Sequence, residues 1–256
     1  ELAATISDIE IFNFFLDGIK YNGEKILPNS IFLAGTEKLE EFRDFSLRGM
    51  VSVSPMGCKI SDSIKAKIKE TTITGNHYTS LFTVSGLHNL ESLIIETTSI
   101  TIISDLSRLK NLKKLILKDN SELKNLSGIS GLDNLELLGI RNCKSLTDLS
   151  YVSGFKKLSG IQVNNCGITS TNGLKNLPSL KNVNFNDNPN LGSIGEIGQI
   201  GSLEIVTING CPNIKSLDSL TKLANLSFLR VDKHNLQNTE GISSLIKPLM
   251  EGLRKE

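Results

Sequence analysis

Between Leu112 and Leu135 the chain reads LKKLILKDNSELKNLSGISGLDNL. Leu112, Leu115 and Leu117 are followed by Asn120, then by apolar residues at every third position: Leu123, Leu126, Ile129 and Leu132. Leu135 opens the same pattern 23 residues after Leu112. Leu115 and Leu117 flank a single residue, so they share a face at the period of an extended strand. Apolar residues three apart match the three residues per turn of a 3₁₀ helix. One copy therefore spells a short strand buried on one side, a turn at Asn120 and a tight helical return.

Copies begin at Ile68, Leu90, Leu112, Leu135, Leu158, Leu180, Leu203 and Leu226, at intervals of 22 or 23 residues. The third position of the strand pair is Ile73, Ile95, Leu117, Ile140, Val163, Phe185, Ile208 and Val231, mostly β-branched, as suits a strand. A period in this range with the signature L-x-x-L-x-L-x-x-N implies leucine-rich repeats. The expected fold is of the α/β class: a right-handed leucine-rich repeat solenoid of about eight repeats. A parallel β-sheet lines its concave face and 3₁₀ turns its convex face. The pattern resembles the internalin-like class, and the same 22-residue form occurs in the leucine-rich regulator of type-1 protein phosphatase. The resemblance implies an interaction module and leaves the partner open.

A ladder position follows each strand: Asn76, Thr98, Asn120, Cys143, Cys166, Asn188, Cys211 and His234. An inward Asn there offers a donor and an acceptor to backbone groups that lose their strand partners at the turn. Thr does part of that work and Cys a weaker part. Three of the four cysteines are thereby read as buried structural thiols. A bridge between Cys143 and Cys166 remains an alternative, because adjacent coils lie about 4.8 Å apart. Cys58 has no evident partner.

Residues 1–67 do not follow the repeat and form a β-rich N-terminal cap. Ile9 to Phe15 is apolar, Asn22-Gly23 between Lys20 and Lys25 signals a hairpin, and Ile31-Phe32-Leu33 and Val51-Ser52-Val53 read as strands. Helical readings exist for Leu39–Phe45 and Ser61–Lys69. The strand pieces resemble the Ig-like domains of Bacteroidetes surface lipoproteins. A solenoid needs a cover at each end. In the second domain, residues 68–256, Leu245, Ile246, Leu249, Met250 and Leu253 fall at helical spacing, so a short helical cap is expected from about 243.

A net charge of +1 and the lack of a basic run give no nucleic-acid signal. No apolar stretch is long enough to span a bilayer. No P-loop, H-E-x-x-H or G-x-S-x-G motif is present, so no enzyme and no cofactor is expected. His77, His88 and His234 are read as structural or exposed. Gly192, Gly195, Gly198 and Gly201 interleave with Ile194, Ile197 and Ile200 and are read as small fillers of the convex turn, not as a phosphate loop. Asp187 is a lone carboxylate where calcium needs six to eight oxygens.

The residues that the repeat leaves free line the concave face. Ile94, Ile116 and Leu137 form an apolar strip beside Lys114, Lys118 and Arg141. Gln162, Asn164, Asn165, Asn182, Asn184, Asn186 and Asn209 form a field of amides, and Ile205 and Phe228 neighbour Arg230. The expected binding set is Ile94, Ile116, Lys118, Leu137, Arg141, Asn164, Asn184, Asn186, Ile205, Phe228 and Arg230. Apolar anchors beside Arg resemble protein-binding hot spots. The leading reading is a non-enzymatic module that binds a protein ligand. Alternatives are a carbohydrate-binding surface, through the amides, and an intracellular phosphatase-regulator-like scaffold. The start at Glu1 and the two resemblances point to a bacterial surface or secreted protein, with a lipid anchor upstream as one form.

Overall fold

In the computed structural model of the chain, residues 66, 68–76, 78–81, 84 and 86–231 are described with their side chains, and five strands within residues 1–53 by their backbone. Ile9–Phe15, Leu39–Phe45, most of Ser61–Lys69, Cys58, His77, His234 and the helical cap from about 243 lie outside the described residues.

The N-terminal strands are β1 (Ala3–Ile6), β2 (Lys20–Tyr21), β3 (Glu24–Lys25), β4 (Ser30–Leu33) and β5 (Met50–Val53). β2 and β3 pair antiparallel, with Lys20 opposite Lys25 and Tyr21 opposite Glu24, as a hairpin between them requires. β1, β4 and β5 pair parallel, with Ala3 opposite Ser30 and Ser30 opposite Met50. An Ig-like sandwich pairs its strands antiparallel. The described strands of this segment therefore do not carry that resemblance. β5 runs beside the first strand of the repeat region instead.

That region is one parallel sheet: β6 (Glu70–Thr74), β7 (Ser92–Glu96), β8 (Lys114–Lys118), β9 (Leu137–Arg141), β10 (Gly160–Asn164), β11 (Asn182–Asn184), β12 (Ile205–Ile208) and β13 (Phe228–Val231), in sequential order. Each strand pairs with its neighbour one period away, so Thr72, Ile94, Ile116, Gly139, Gln162, Asn184, Thr207 and Arg230 stand in one row. The register fits the repeat alignment. A slip of one residue would turn Leu115 and Leu117 to solvent.

The core is continuous. Leu112, Leu115, Leu117, Leu123, Leu126, Ile129, Leu132 and Leu135 are all fully buried, as are their equivalents in most other copies. On the convex side, 3₁₀ turns span Ser104–Arg108, Ser127–Ile129, Ser150–Val152, Gly195–Gln199 and Asp218–Lys222 among the described residues. Each drives one apolar side chain inward, such as Leu106, Ile129 or Ile197. No 3₁₀ turn is described within 167–179. Among the described residues there is no α-helix.

Three ladders hold the coils together. In the turn after each strand, Asn120 Oδ1 accepts from the backbone N–H of Thr98 at 3.0 Å, and Asn120 Nδ2 donates to the carbonyl of Ile95 at 2.9 Å. Asn188 repeats the arrangement with Cys166 and Val163. Asn76 departs from the expected inward position and is exposed, as befits the degraded first copy. Cys143, Cys166 and Cys211 are buried and each thiol donates to backbone carbonyls, and no Cys143–Cys166 bridge forms. The Cys143 thiol is pushed up by its hydrogen bond with Cys166 and by burial.

A second ladder lies just before the first Leu of each copy. Asn89, Asn111, Asn134 and Asn225 donate to backbone carbonyls of the preceding coil at 2.7–2.9 Å. A third lies just after it, where one carbonyl accepts two N–H groups from the next coil, as Glu91 does from Lys113 and Lys114 at 2.8 and 3.0 Å. At this position the side chains alternate in sign from Lys69 to Glu136, and Lys69, Glu91 and Lys113 form ion pairs of 3.0 and 2.7 Å.

Candidate binding surface

Every other residue of each strand projects from the concave face, because successive side chains in a strand alternate. Leu137 and Phe228 are each 46% exposed there and Ile205 38%. Ile94 and Ile116 are half-buried. Exposed large apolar side chains of this kind are the informative deviation from a solvated face.

Glycine shapes the first apolar cluster. A Cβ on Gly139 would sit 2.6 Å from Ile116 Cδ1, so Ile116 lies over the bare backbone of β9. A Cβ on Gly160 would sit 3.0 Å from Leu137 Cδ2, so Leu137 leans toward β10 in the same way. Ile94 pairs directly with Ile116, and Leu137 pairs with Lys114. Lys118 opposes Arg141 across the β8–β9 ladder. Lys118 is held by Glu96 at 2.8 Å and Asp119 at 3.5 Å, and its hydrogen bond to Glu96 raises its pKa above the ordinary lysine value. Arg141 and Lys114 are exposed and have no ion pair among the described residues.

The second cluster is on β12 and β13. Ile205 pairs with Phe228 and Thr207 with Arg230, so one apolar pair and one guanidinium share adjacent positions. Three strand steps separate Leu137 from Ile205, about 14 Å at the usual strand spacing. The two clusters therefore form one face with a polar middle.

The polar middle differs from the expected field of free amides. Asn164 Oδ1 accepts the backbone N–H of Asn186 at 3.1 Å, and Asn186 Oδ1 accepts that of Asn209 at 2.9 Å. Asn165 Nδ2 donates to Asn142 Oδ1 at 2.7 Å, and Asn142 Nδ2 to Asp119 Oδ1 at 2.5 Å. Asn184 is half-buried, and its Oδ1 has no hydrogen-bond partner among the described residues. Much of this amide capacity is thus spent on the neighbouring coil, which weakens the carbohydrate reading of the concave face.

The residues just before the ladder positions form an outer column governed by backbone conformation. Thr97, Asp119, Asn142, Asn165 and Asp187 all have φ of 55° to 58°, and Gly75 and Gly210 are positive as well. This left-handed conformation suits Asn, Asp and Gly. These residues are selected by the turn, and the column is not a free recognition surface. The sequence signal was the run of Asp, Asn and Gly just before each ladder position. The run Lys69, Glu91, Lys113 and Glu136 after the first apolar residue of successive copies, and Lys181 and Glu204 further on, is a second signal, for stacking.

Among the described residues, no group of three or more His, Cys, Asp and Glu side chains is arranged to hold a metal ion. No described helix is long and apolar enough to cross a membrane.

The family described as plant disease resistance protein RPS2-like, leucine-rich repeats, matches residues 105–235. No curated protein matches the chain. Among solved structures, an internalin from Listeria monocytogenes is 21% identical with a TM-score of 0.64, over 85% of this chain and 65% of its own. The internalin C2 of the same organism is also 21% identical with a TM-score of 0.64, over 75% of this chain and 84% of its own. This chain thus spans about 65% of the length of the first of these. At such identity the likeness is one of fold.

Proposed function

We propose that this chain, which belongs to the leucine-rich repeat family described as plant disease resistance protein RPS2-like, is a non-enzymatic module that binds a protein ligand through its concave face. The observation that carries this reading is the pair of exposed apolar clusters, Ile94–Ile116–Leu137 and Ile205–Phe228, each next to an exposed arginine. Buried apolar anchors flanked by Arg are where binding energy concentrates in protein interfaces. The polar middle, with its amides turned to the backbone, supplies shape and little competing chemistry.

We further place the protein at a bacterial surface or in secretion, on the strength of its likeness in fold to internalins of Listeria monocytogenes. Residues 1–67 serve in this reading as the cover of the first coil, consistent with β5 lying beside β6.

Immobilised chain tests the proposal by capture from candidate host or bacterial extracts. The variants are Ile116→Glu, Phe228→Ala and Arg230→Glu on the concave face and Ile102→Glu on the convex face, where Ile102 is 51% exposed. The expected result is a protein retained by the parent and the convex variant and lost by the concave ones. A partner captured equally well by all three concave variants places its site elsewhere.

A further inference from the structure

The flank of the solenoid carries a cavity of about 470 Å³ where the coils that begin at Leu135, Leu158 and Leu180 return from the convex side. Its origin is an irregularity in the repeat. Two residues before the first Leu, the copies that begin at Leu90, Leu112, Leu135 and Leu158 place His88, Lys110, Asp133 and Lys156 and the terminal copies Ala66 and Ala224, but here stand Pro178 and Gly201. A Cβ on Gly201 would meet nothing within 4 Å. The stretch 167–179 also lacks a described 3₁₀ turn, and Asn176 takes a left-handed φ of 55° where Gly131 and Gly154 sit in the two preceding coils. The turn asks for this conformation in all three coils, and at this one it sets an exposed amide in place of a glycine at the cavity lip.

The chemistry of the lining is one-sided. Lys156 and Lys175 line the cavity, and no carboxylate does. In the regular part of the solenoid, the equivalent Lys110 donates to the carbonyl of Gly131 in the next coil at 3.0 Å. Lys156 makes no such bond to Asn176, and neither lysine has an ion pair among the described residues. The backbone that carries Lys175 is nonetheless fixed, because its carbonyl accepts the N–H of Gly154 at 2.8 Å. Asn176 and Gln199 contribute amides without a described side-chain hydrogen bond, unlike the concave Asn164 and Asn186. Pro178 and Ile200 add apolar surface.

We infer that this notch is a binding site for an acidic sugar unit: the two ammonium groups take the carboxylate, and Asn176 and Gln199 take ring hydroxyls. The volume is that of a small-molecule site, typically about 300–1,000 Å³. A compact ligand suits it better than a peptide laid along a flat surface. The inference does not rest on the concave-face reading, since it concerns a different side of the coil.

The test is titration of the full chain with glucuronate, followed by amide chemical shifts in the protein. Glucose serves as the neutral control and a triglutamate peptide as the acidic non-sugar control. The expected result is saturable shifts at Asn176 and Gly201 with glucuronate, at least tenfold weaker with glucose and with the peptide. Lys156→Gln and Lys175→Gln should each weaken glucuronate about tenfold, the usual scale for loss of one charged hydrogen bond. Both lysines are exposed, so the fold is retained. Lys110→Gln should leave binding unchanged. No saturable shift, equal binding of glucose, preference for the peptide, or indifference to both lysine variants overturns the assignment.

Discussion

Asn120 is bound to Thr98, one coil earlier, twice over: its Oδ1 accepts from the Thr98 backbone N–H at 3.0 Å and from the Thr98 hydroxyl at 2.6 Å. Both residues are buried. Removing the amide leaves a buried N–H, a buried hydroxyl and the Ile95 carbonyl without this partner. An orphaned buried polar group costs about 1–3 kcal/mol. Asn120→Ala is therefore expected to lower the unfolding free energy by about 3 kcal/mol in urea denaturation. Asn76→Ala, at the exposed equivalent in the first copy, should change it little. Equal losses in both variants would contradict the ladder account.

Two glycines with similar sequence surroundings should respond very differently to a methyl group. A Cβ on Gly128 would sit 1.6 Å from the backbone oxygen of Ile103, which cannot move without breaking the coil stack. A Cβ on Gly139 would meet only the end of the Ile116 side chain. Gly128→Ala is expected to destabilise by about 3 kcal/mol or more, and Gly139→Ala by about 1 kcal/mol or less. Thermal melts of the two variants check the order, and Gly139→Ala should also tilt Ile116 within the apolar cluster.

The sequence was a good guide wherever one period determines the residue. Leu115 and Leu117 had to be buried, and the register of β8 on β9 followed. Asn120 was legible because an apolar run does not tolerate a buried amide without a partner. What escaped was the set of positions governed by the neighbouring coil. Asn164 and Asn186 looked free when each copy was read singly, and only stacking shows their oxygens on backbone N–H groups one coil on. Asn165 stands in the amide field by sequence, while its left-handed φ is a demand of the turn. The flank notch was invisible because it comes from what Pro178 and Gly201 do not fill.

The buried thiols give a prediction with a chemical readout. Cys143, Cys166 and Cys211 donate to carbonyls inside the ladder, and the Cys143 thiol is held above the usual range by the Cys166 hydrogen bond and by burial. Burial keeps the reagent from all three, and the raised Cys143 thiol also holds little of the reactive thiolate, so these side chains should resist alkylation. Native protein treated with iodoacetamide and mapped by mass spectrometry should show these three sites unmodified, and all three labelled after denaturation. Rapid native labelling of Cys143 or Cys211, or a Cys143–Cys166 disulfide in the native map, would contradict the burial.

Glu91 offers a test of the charged ladder. Hydrogen bonds from Lys113 first, then Lys69, hold its carboxyl below the ordinary glutamate value, and Glu91 in turn raises Lys113. A carboxyl whose folded pKa is depressed favours the folded state above its unfolded pKa. That contribution is lost as pH falls through the folded value, so it is present at neutral pH and fades in mild acid. The carboxyl is solvent-exposed, so the effect on stability is small and salt-screened. The direct measurement is the carboxyl chemical shift of Glu91 across an acid titration. Its midpoint should lie below that of a free glutamate at low salt, rise in Lys113→Ala, and rise again in high salt. A midpoint indifferent to both changes would mean that the Lys69–Glu91–Lys113 chain is not formed in solution, and that the carbonyl of Glu91, accepting from Lys113 and Lys114, holds this edge of the coils alone.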